Sequence, residues 1–323
     1  MRAVRPSAQL DFAIEQKTAE AIFAHAAQLG KISKERIRDE LIRTLETEKP
    51  MQAIFLAQKL GLLKHIAPEL EEGIGVEQNQ AHSFDVFEHL LRSLQHAADR
   101  DWPFAVRLAA LLHDVGKPAA RRWTAEKKDW TFHGHEVVGA LLAKKILDRL
   151  KFPKDLSDKV VKLVRWHMFF SDPDQVTLSA VRRIITNVDR ENIEELLNLR
   201  ICDRIGTGRP KEQPFRLRKY MAMVDQALRD PVSVAMLAVN GEDIMKELGE
   251  KPGPRIGWML HALLEEVLEE PEKNTRDYLL EKARVFSTME DSALREMGNA
   301  GKEAREEAEE AELASIRAKH HVD

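Results

Sequence analysis

An all-α, multi-helical fold is predicted by three features of the sequence. Glycine and proline are sparse, at 15 and 13 among 323 residues; aromatic residues reach only 6%; and long stretches are built from Leu, Ala, Glu, Lys and Arg, the residues that favour helices over strands. Hydrophobic residues make up 43% of the chain and charged residues 32%, which excludes a disordered chain, a collagen and a disulfide-stapled mini-protein. At about 100–200 residues per domain, the length predicts two or three compact units.

The net charge of −4 gives no global attraction to nucleic acid or anionic lipid, so a polyanionic partner must be met by a local patch. The single cysteine, Cys202, cannot form an internal disulfide and reads as a small buried apolar residue beside Asp203. No stretch approaches the ~18 apolar residues of a membrane span, and the first ten residues lack the apolar core of a signal peptide. A soluble, cytoplasmic protein with no membrane partner is expected.

Along the chain, Ala19–Leu29 reads as a helix ending at Gly30, and Ser33 as the N-cap of a helix over 34–46. In that helix Ile37, Leu41, Ile42 and Leu45 repeat at the 3.6 period, leaving Lys34, Arg36, Arg38 and Arg43 on the other face. Pro50 opens a helix that Gly61 closes. Periodicity fails around residues 71–80, where glycines 73 and 75 predict a linker. A helical block runs from Ser83 to about Asp99, and Pro103 opens a helix to Asp114 that is apolar nearly all round and must be buried. Trp123–Thr124 and Trp130–Phe132 predict one small hairpin. Helices resume at 137–150, 155–169, 178–187 and 191–203, followed by a basic stretch from Arg204 to Lys219. A short helix after Asn240–Gly241 and an amphipathic one at 258–268 form a further unit. The acidic segment 298–323 reads as a solvated helix or disordered tail.

Seven of the twelve histidines lie between His82 and His167, and imidazole is the side chain best suited to bind transition metals near neutral pH. At the centre is His113–Asp114, where the buried helix ends, followed by Gly116, which is expected to let the chain turn sharply. Adjacent imidazole and carboxylate groups can chelate one ion. His82, His89 and His96 are spaced by seven, as any helix face would produce, and His96 reads as a packing residue.

His89 in VFEHLL, the LLHDVGK segment and Asp203 in ICDRIG resemble the His…His-Asp…Asp signature of the HD superfamily of metal-dependent phosphohydrolases. The resemblance implies the ligand set His89, His113, Asp114, His135, His167 and Asp203, with His135 and His167 matching the extra histidines of two-metal members. Six ligands of mixed nitrogen and oxygen type suit one or two divalent ions such as Mn, Ni, Fe or Mg. It further implies His113 and Asp114 as catalytic, Lys117 as a phosphate contact, and His82 or His133 as proton donor to the leaving group.

Beyond that block, RAVRPSAQL, ISKERIRDEL and GLLKHIAPEL are similar to the neck of bacterial tRNA nucleotidyltransferases and poly(A) polymerases, and NGEDIMKELGEKPGPRIGWML with NTRDYLLEKA to their tail. The implied order is a helical neck (1–75), an HD domain (80–220), a helical tail (230–290) and the acidic C-terminal segment (298–323). The family's nucleotide-adding head would precede the neck, and the chain is expected to lack it. A metal-dependent phosphohydrolase acting on nucleotide or RNA phosphoesters, such as a tRNA 3′ end, is therefore expected. The alternative is the RNA-binding body of a split or truncated nucleotidyltransferase whose head is a separate protein. RNA contact is expected at Lys34, Arg36, Arg38 and Arg43, and at Arg204, Arg209 and Lys211.

Overall fold

The computed structural model describes residues 1–79, 83–126, 128–169, 176–229 and 233–297. Seventeen α-helices and one two-stranded hairpin are found among them, as the composition predicts. The chain divides into two compact units: residues 1–169 with 192–213, and 176–191 with the described residues from 214 onward.

In the first unit the Lys34–Leu45 helix buries Ile37, Leu41 and Leu45 on one stripe. Ser33 stands at its N-cap with extended backbone, but its side chain makes no capping bond. Pro50 opens the Pro50–Lys59 helix, and Gly61, at φ +65°, occupies the left-handed conformation that closes it. The Val86–Asp99 helix is capped by Asp85, whose carboxylate accepts from the Glu88 amide at 2.7 Å. This helix packs against Phe104–Leu112 and Ile193–Gly206, and Lys154–Trp166 packs against His135–Arg149 and Phe104–Leu112.

The Phe104–Leu112 helix is buried continuously from Ala105 to Leu112. Its one charge is satisfied in place. The Arg107 guanidinium donates to the carbonyl oxygens of Leu45 and Thr47 at 3.3 and 3.4 Å, and to that of Trp102 at 3.1 Å, so it also caps the end of the Lys34–Leu45 helix.

A second tie joins the Pro68–Glu71 helix to the last turn of His135–Arg149. Arg149 donates through Nη1 and Nη2 to the two oxygens of Glu69, each at 2.7 Å. Burial pushes the Glu69 carboxyl upward, but the Arg149 hydrogen bond outweighs it and the pKa lies below the usual glutamate range. A depressed carboxylate stabilises the fold above its unfolded pKa of about 4.5 and loses that contribution as pH falls through the folded value. Glu69→Gln is expected to lower stability at pH 7 by about 1.5–3 kcal/mol. In urea melts the gap between variant and wild type should close as pH falls below about 4.

The second unit is built around Ile244, Met259, Leu263, Val267, Leu279 and Phe286. Asn240 and Asp243 form a reciprocal capping box at the start of Gly241–Leu248, and Arg182 of the Leu178–Val188 helix donates to the Leu268 carbonyl at 2.9 Å. Part of the basic stretch after Arg204 is itself helical, Phe215–Ala227, with Leu217, Tyr220 and Val224 buried. Basic residues dominate its opening turns and mask that apolar stripe in the sequence. The expected acidic segment 298–323 lies outside the described residues.

Candidate metal centre

His113 follows the last residue of the buried helix, and Asp114 follows His113. Around them the fold gathers His89 from Val86–Asp99, His135 from the first position of His135–Arg149, His167 at the end of Lys154–Trp166, and Asp203 from the last turn of Ile193–Gly206. All six are buried.

They form two donor groups that share one carboxylate: His89, His113, Asp114 and Asp203, and Asp114, His135 and His167. Asp114 turns a different oxygen to each. Its Oδ2 lies 3.0 Å from His89 Nε2 and 3.3 Å from His113 Nε2, while its Oδ1 lies 3.1 Å from His135 Nε2 and 3.4 Å from His167 Nε2. Asp203 Oδ1 closes the first group at 3.5 Å from His89 Nε2, and its other oxygen accepts from Arg200 at 2.6 Å.

Three of the histidines are oriented in the same way. The Nδ1 atoms of His113, His135 and His167 lie 2.9, 2.6 and 2.7 Å from the carbonyl oxygens of Ala110, Phe132 and Val164, each three residues earlier. A carbonyl only accepts, so each Nδ1 carries a proton, and Nε2 is the atom each ring turns to the centre, a donor to metal once the imidazole is neutral.

Burial pushes the imidazoles of His89 and His167 below their ordinary pKa. His113 is also pressed down by burial, but the carboxylates of Asp114 and Asp203 outweigh this and raise it to about 9. Burial raises both carboxyls as well, yet Lys117 and His113 hold Asp114 well below the usual carboxylate range, and His113 and Arg200 do the same for Asp203. The centre thus offers two anionic carboxylates among imidazoles.

A divalent ion fits this set. Asp114 Oδ1 and the Nε2 atoms of His135 and His167 are buried without a hydrogen bond, an arrangement costly in a protein interior unless another group is coordinated there. Nitrogen and carboxylate donors together are the chemistry that first-row divalent ions take.

Lys117 is buried beside the centre. Its Nζ is buried, 2.5 Å from Asp114 Oδ2 and 2.6 Å from Gln78 Oε1. His133 is exposed and outside both donor groups, and His96 is buried edge-on to Trp102, also outside them. His82 lies outside the described residues. Gly116 has an ordinary right-handed backbone, φ −81° and ψ −13°, not a special turn. Its necessity is steric, because a Cβ there would stand 2.3 Å from the His135 carbonyl oxygen and 2.5 Å from the Gly139 amide nitrogen.

Of the basic residues, Arg36, Arg43, Arg209 and Lys211 are exposed, and Lys34 is half-buried. Arg38 is held by Asp39 and by the carbonyl of Lys151, and Arg204 donates to the Lys211 carbonyl at 2.6 Å. Arg200 and Gln78 escape the sequence reading. Arg200 stands three residues before Asp203 on one helix face, a visible pairing signal, whereas nothing in the sequence marks Gln78 as the partner of Lys117.

Residues 81–207 match the family model described as "HD domain", and residues 11–74 match the one described as "Probable RNA and SrmB-binding site of polymerase A". The chain is 35% identical over 274 residues to the A-adding tRNA nucleotidyltransferase of Deinococcus radiodurans, covering 82% of this chain and 62% of that protein. The chain belongs to the tRNA nucleotidyltransferase family. The CC-adding tRNA nucleotidyltransferase of Thermus thermophilus is 34% identical over 273 residues, covering 82% of this chain and 61% of the relative. A multifunctional CCA protein of Neisseria meningitidis is 26% identical over 236 residues, covering 70% and 56%. The chain spans about three-fifths of the length of the first two tRNA nucleotidyltransferases, and its match to the family runs through the RNA-binding region and the HD domain. Among the described residues no helix is long and apolar enough to cross a membrane.

Proposed function

We propose that the chain is a metal-dependent phosphohydrolase acting on nucleotide or RNA phosphoesters, with the RNA 3′ end as substrate class. The observation that carries this reading is the pair of donor groups joined through Asp114, one on each carboxylate oxygen. Divalent ions bound there would neutralise phosphate charge and supply an activated water at neutral pH.

His89, His113, Asp114 and Asp203 would hold one ion, and Asp114, His135 and His167 a second. Lys117 keeps Asp114 ionised and in place, and Arg200 does the same for Asp203. We assign proton delivery to the leaving oxygen to His133, on the strength of its exposure two residues before His135. Arg36, Arg43, Arg209 and Lys211 are the RNA-backbone contacts of this reading.

A chromogenic phosphodiester assay with and without added Mn or Ni tests the proposal. Hydrolysis is expected only with metal, and His135→Ala should lower it at least tenfold, the scale on which lost ligand contacts reduce metal affinity or activity. A wild-type chain that binds metal but hydrolyses no phosphoester would refute the hydrolase.

A second reading follows the names of the relatives and the match to the polymerase A RNA-binding model: the RNA-binding body of a split or truncated nucleotidyltransferase whose head is a separate protein. Nucleotide addition to a tRNA that begins only when such a head is mixed with the chain would support it.

A further inference from the structure

The described hairpin, Arg122–Thr124 with Asp129–Thr131, is a feature for which the donor cluster gives no explanation. Its strands pair in antiparallel register with Trp123 opposite Trp130. The two indoles meet edge to face with centroids 5.2 Å apart, and the Arg121 guanidinium lies 3.7 Å from the Trp130 ring centroid. Trp123 nevertheless leaves 56% of its surface exposed.

An isolated two-stranded hairpin is marginal in water. This one is fixed by its Trp pair and by Thr131, whose hydroxyl donates to the Arg122 carbonyl at 3.1 Å. Both ends of the hairpin lead into the candidate metal centre. Lys117, which holds Asp114, precedes it, and its Nζ lies 5.6 Å from the Phe132 ring centroid just past the second strand. The Phe132 carbonyl orients His135. Trp130 is five residues from His135, a chain reach of at most about 18 Å, so the indoles lie within a few nucleotides of the donor groups.

The described residues of the segment from 121 to 131 include Arg121, Arg122 and Lys128 against Glu126 and Asp129. An exposed indole flanked by guanidinium groups and excess positive charge is the chemistry that holds unpaired bases by stacking and their phosphates by charge.

We infer that the Trp123–Trp130 hairpin stacks an unpaired base of an RNA strand whose phosphate is presented to the donor groups. This rests on the phosphoester reading above for the direction of the strand, but the stacking itself is measurable without turnover. The test compares binding of a short unpaired RNA with the same strand made abasic, by fluorescence anisotropy, using the full chain with and without Mn.

Wild type is expected to prefer the base-bearing strand by about tenfold. Trp123→Ala should abolish the preference with metal content unchanged, and Trp123→Phe should keep most of it. A preference that persists in Trp123→Ala, or that is absent in wild type, overturns the stacking site. Because Trp123 is exposed, the variant is expected to keep its helical fold, and Trp123→Leu, which leaves Trp130 an apolar cross-strand partner but no aromatic face, should lose the preference as Trp123→Ala does if stacking carries it. A Trp123-dependent preference in a chain that hydrolyses no phosphoester would sink the hydrolase reading alone and leave the stacking site standing.

Discussion

Asp114→Asn is expected to empty both donor groups at once. Each carboxylate oxygen of Asp114 faces a different set of imidazoles, and an amide keeps one oxygen while presenting an NH2 donor to the other set. The neutral amide also withdraws the anion that balances Lys117 and His113. Bound metal should fall by 10- to 100-fold or more, and hydrolysis with it. His135→Ala touches only the second group and should leave one ion measurable. The separation between these two variants in elemental analysis is the result that identifies a shared carboxylate, and equal loss in both would contradict it. Breaking a buried charge pair costs about 3–5 kcal/mol, so circular dichroism must show that the variant is still helical. Asp114→Glu retains the charge and keeps the comparison informative if the amide does not fold.

A His–Asp pair at the end of an apolar helix is visible without coordinates, whereas His89, His135, His167 and Asp203 are picked out only by the resemblance to the HD signature; the fold gathers all six into two candidate donor groups. The conformational detail is not local. The Nδ1 contacts of His113, His135 and His167 depend on each side chain folding back to a carbonyl three residues earlier, which the spacing permits but does not require. Lys117 shows the limit most clearly. The sequence offers it as a phosphate contact, and nothing local shows that its ammonium is buried between Asp114 and Gln78, a residue 39 positions away.

The same distinction separates helices that were legible from one that was not. Lys34–Leu45 and Phe104–Leu112 announce themselves by a stripe and by apolarity all round. Phe215–Ala227 buries Leu217, Tyr220, Val224 and Ala227 at helical spacing, but Arg216, Arg218 and Lys219 fill the intervening positions and make the segment read as a basic connection. Arg38 illustrates the converse. It sits among basic neighbours on a helix, yet its guanidinium reaches the Lys151 carbonyl more than a hundred residues away, a contact no periodicity could reveal.

Gly116→Ala is expected to damage the second donor group without changing any ligand. Because the backbone at Gly116 is right-handed, alanine meets no conformational penalty there, and any effect must come from the new methyl group. That carbon would stand 2.3 Å from the His135 carbonyl oxygen and 2.5 Å from the Gly139 nitrogen, both main-chain atoms that cannot rotate away as a side chain would. The start of His135–Arg149 must therefore move off the segment carrying His113 and Asp114. Overpacking of this kind costs about 1–3 kcal/mol, readable as a lower urea midpoint. His135 opens that helix and its Nε2 lies 3.1 Å from Asp114 Oδ1, so the displacement should open the second group more than the first. Gly206→Ala provides the matching control, since a Cβ there would fall 2.1 Å from Ser93 Oγ and 2.9 Å from the His89 carbonyl oxygen. It should disturb the His89 side of the centre first. Metal titrations in which Gly116→Ala weakens one ion and Gly206→Ala the other would show that close helix contacts set the two halves of the site independently. Two variants with wild-type metal binding would show that the helices yield to a methyl group without moving the ligands.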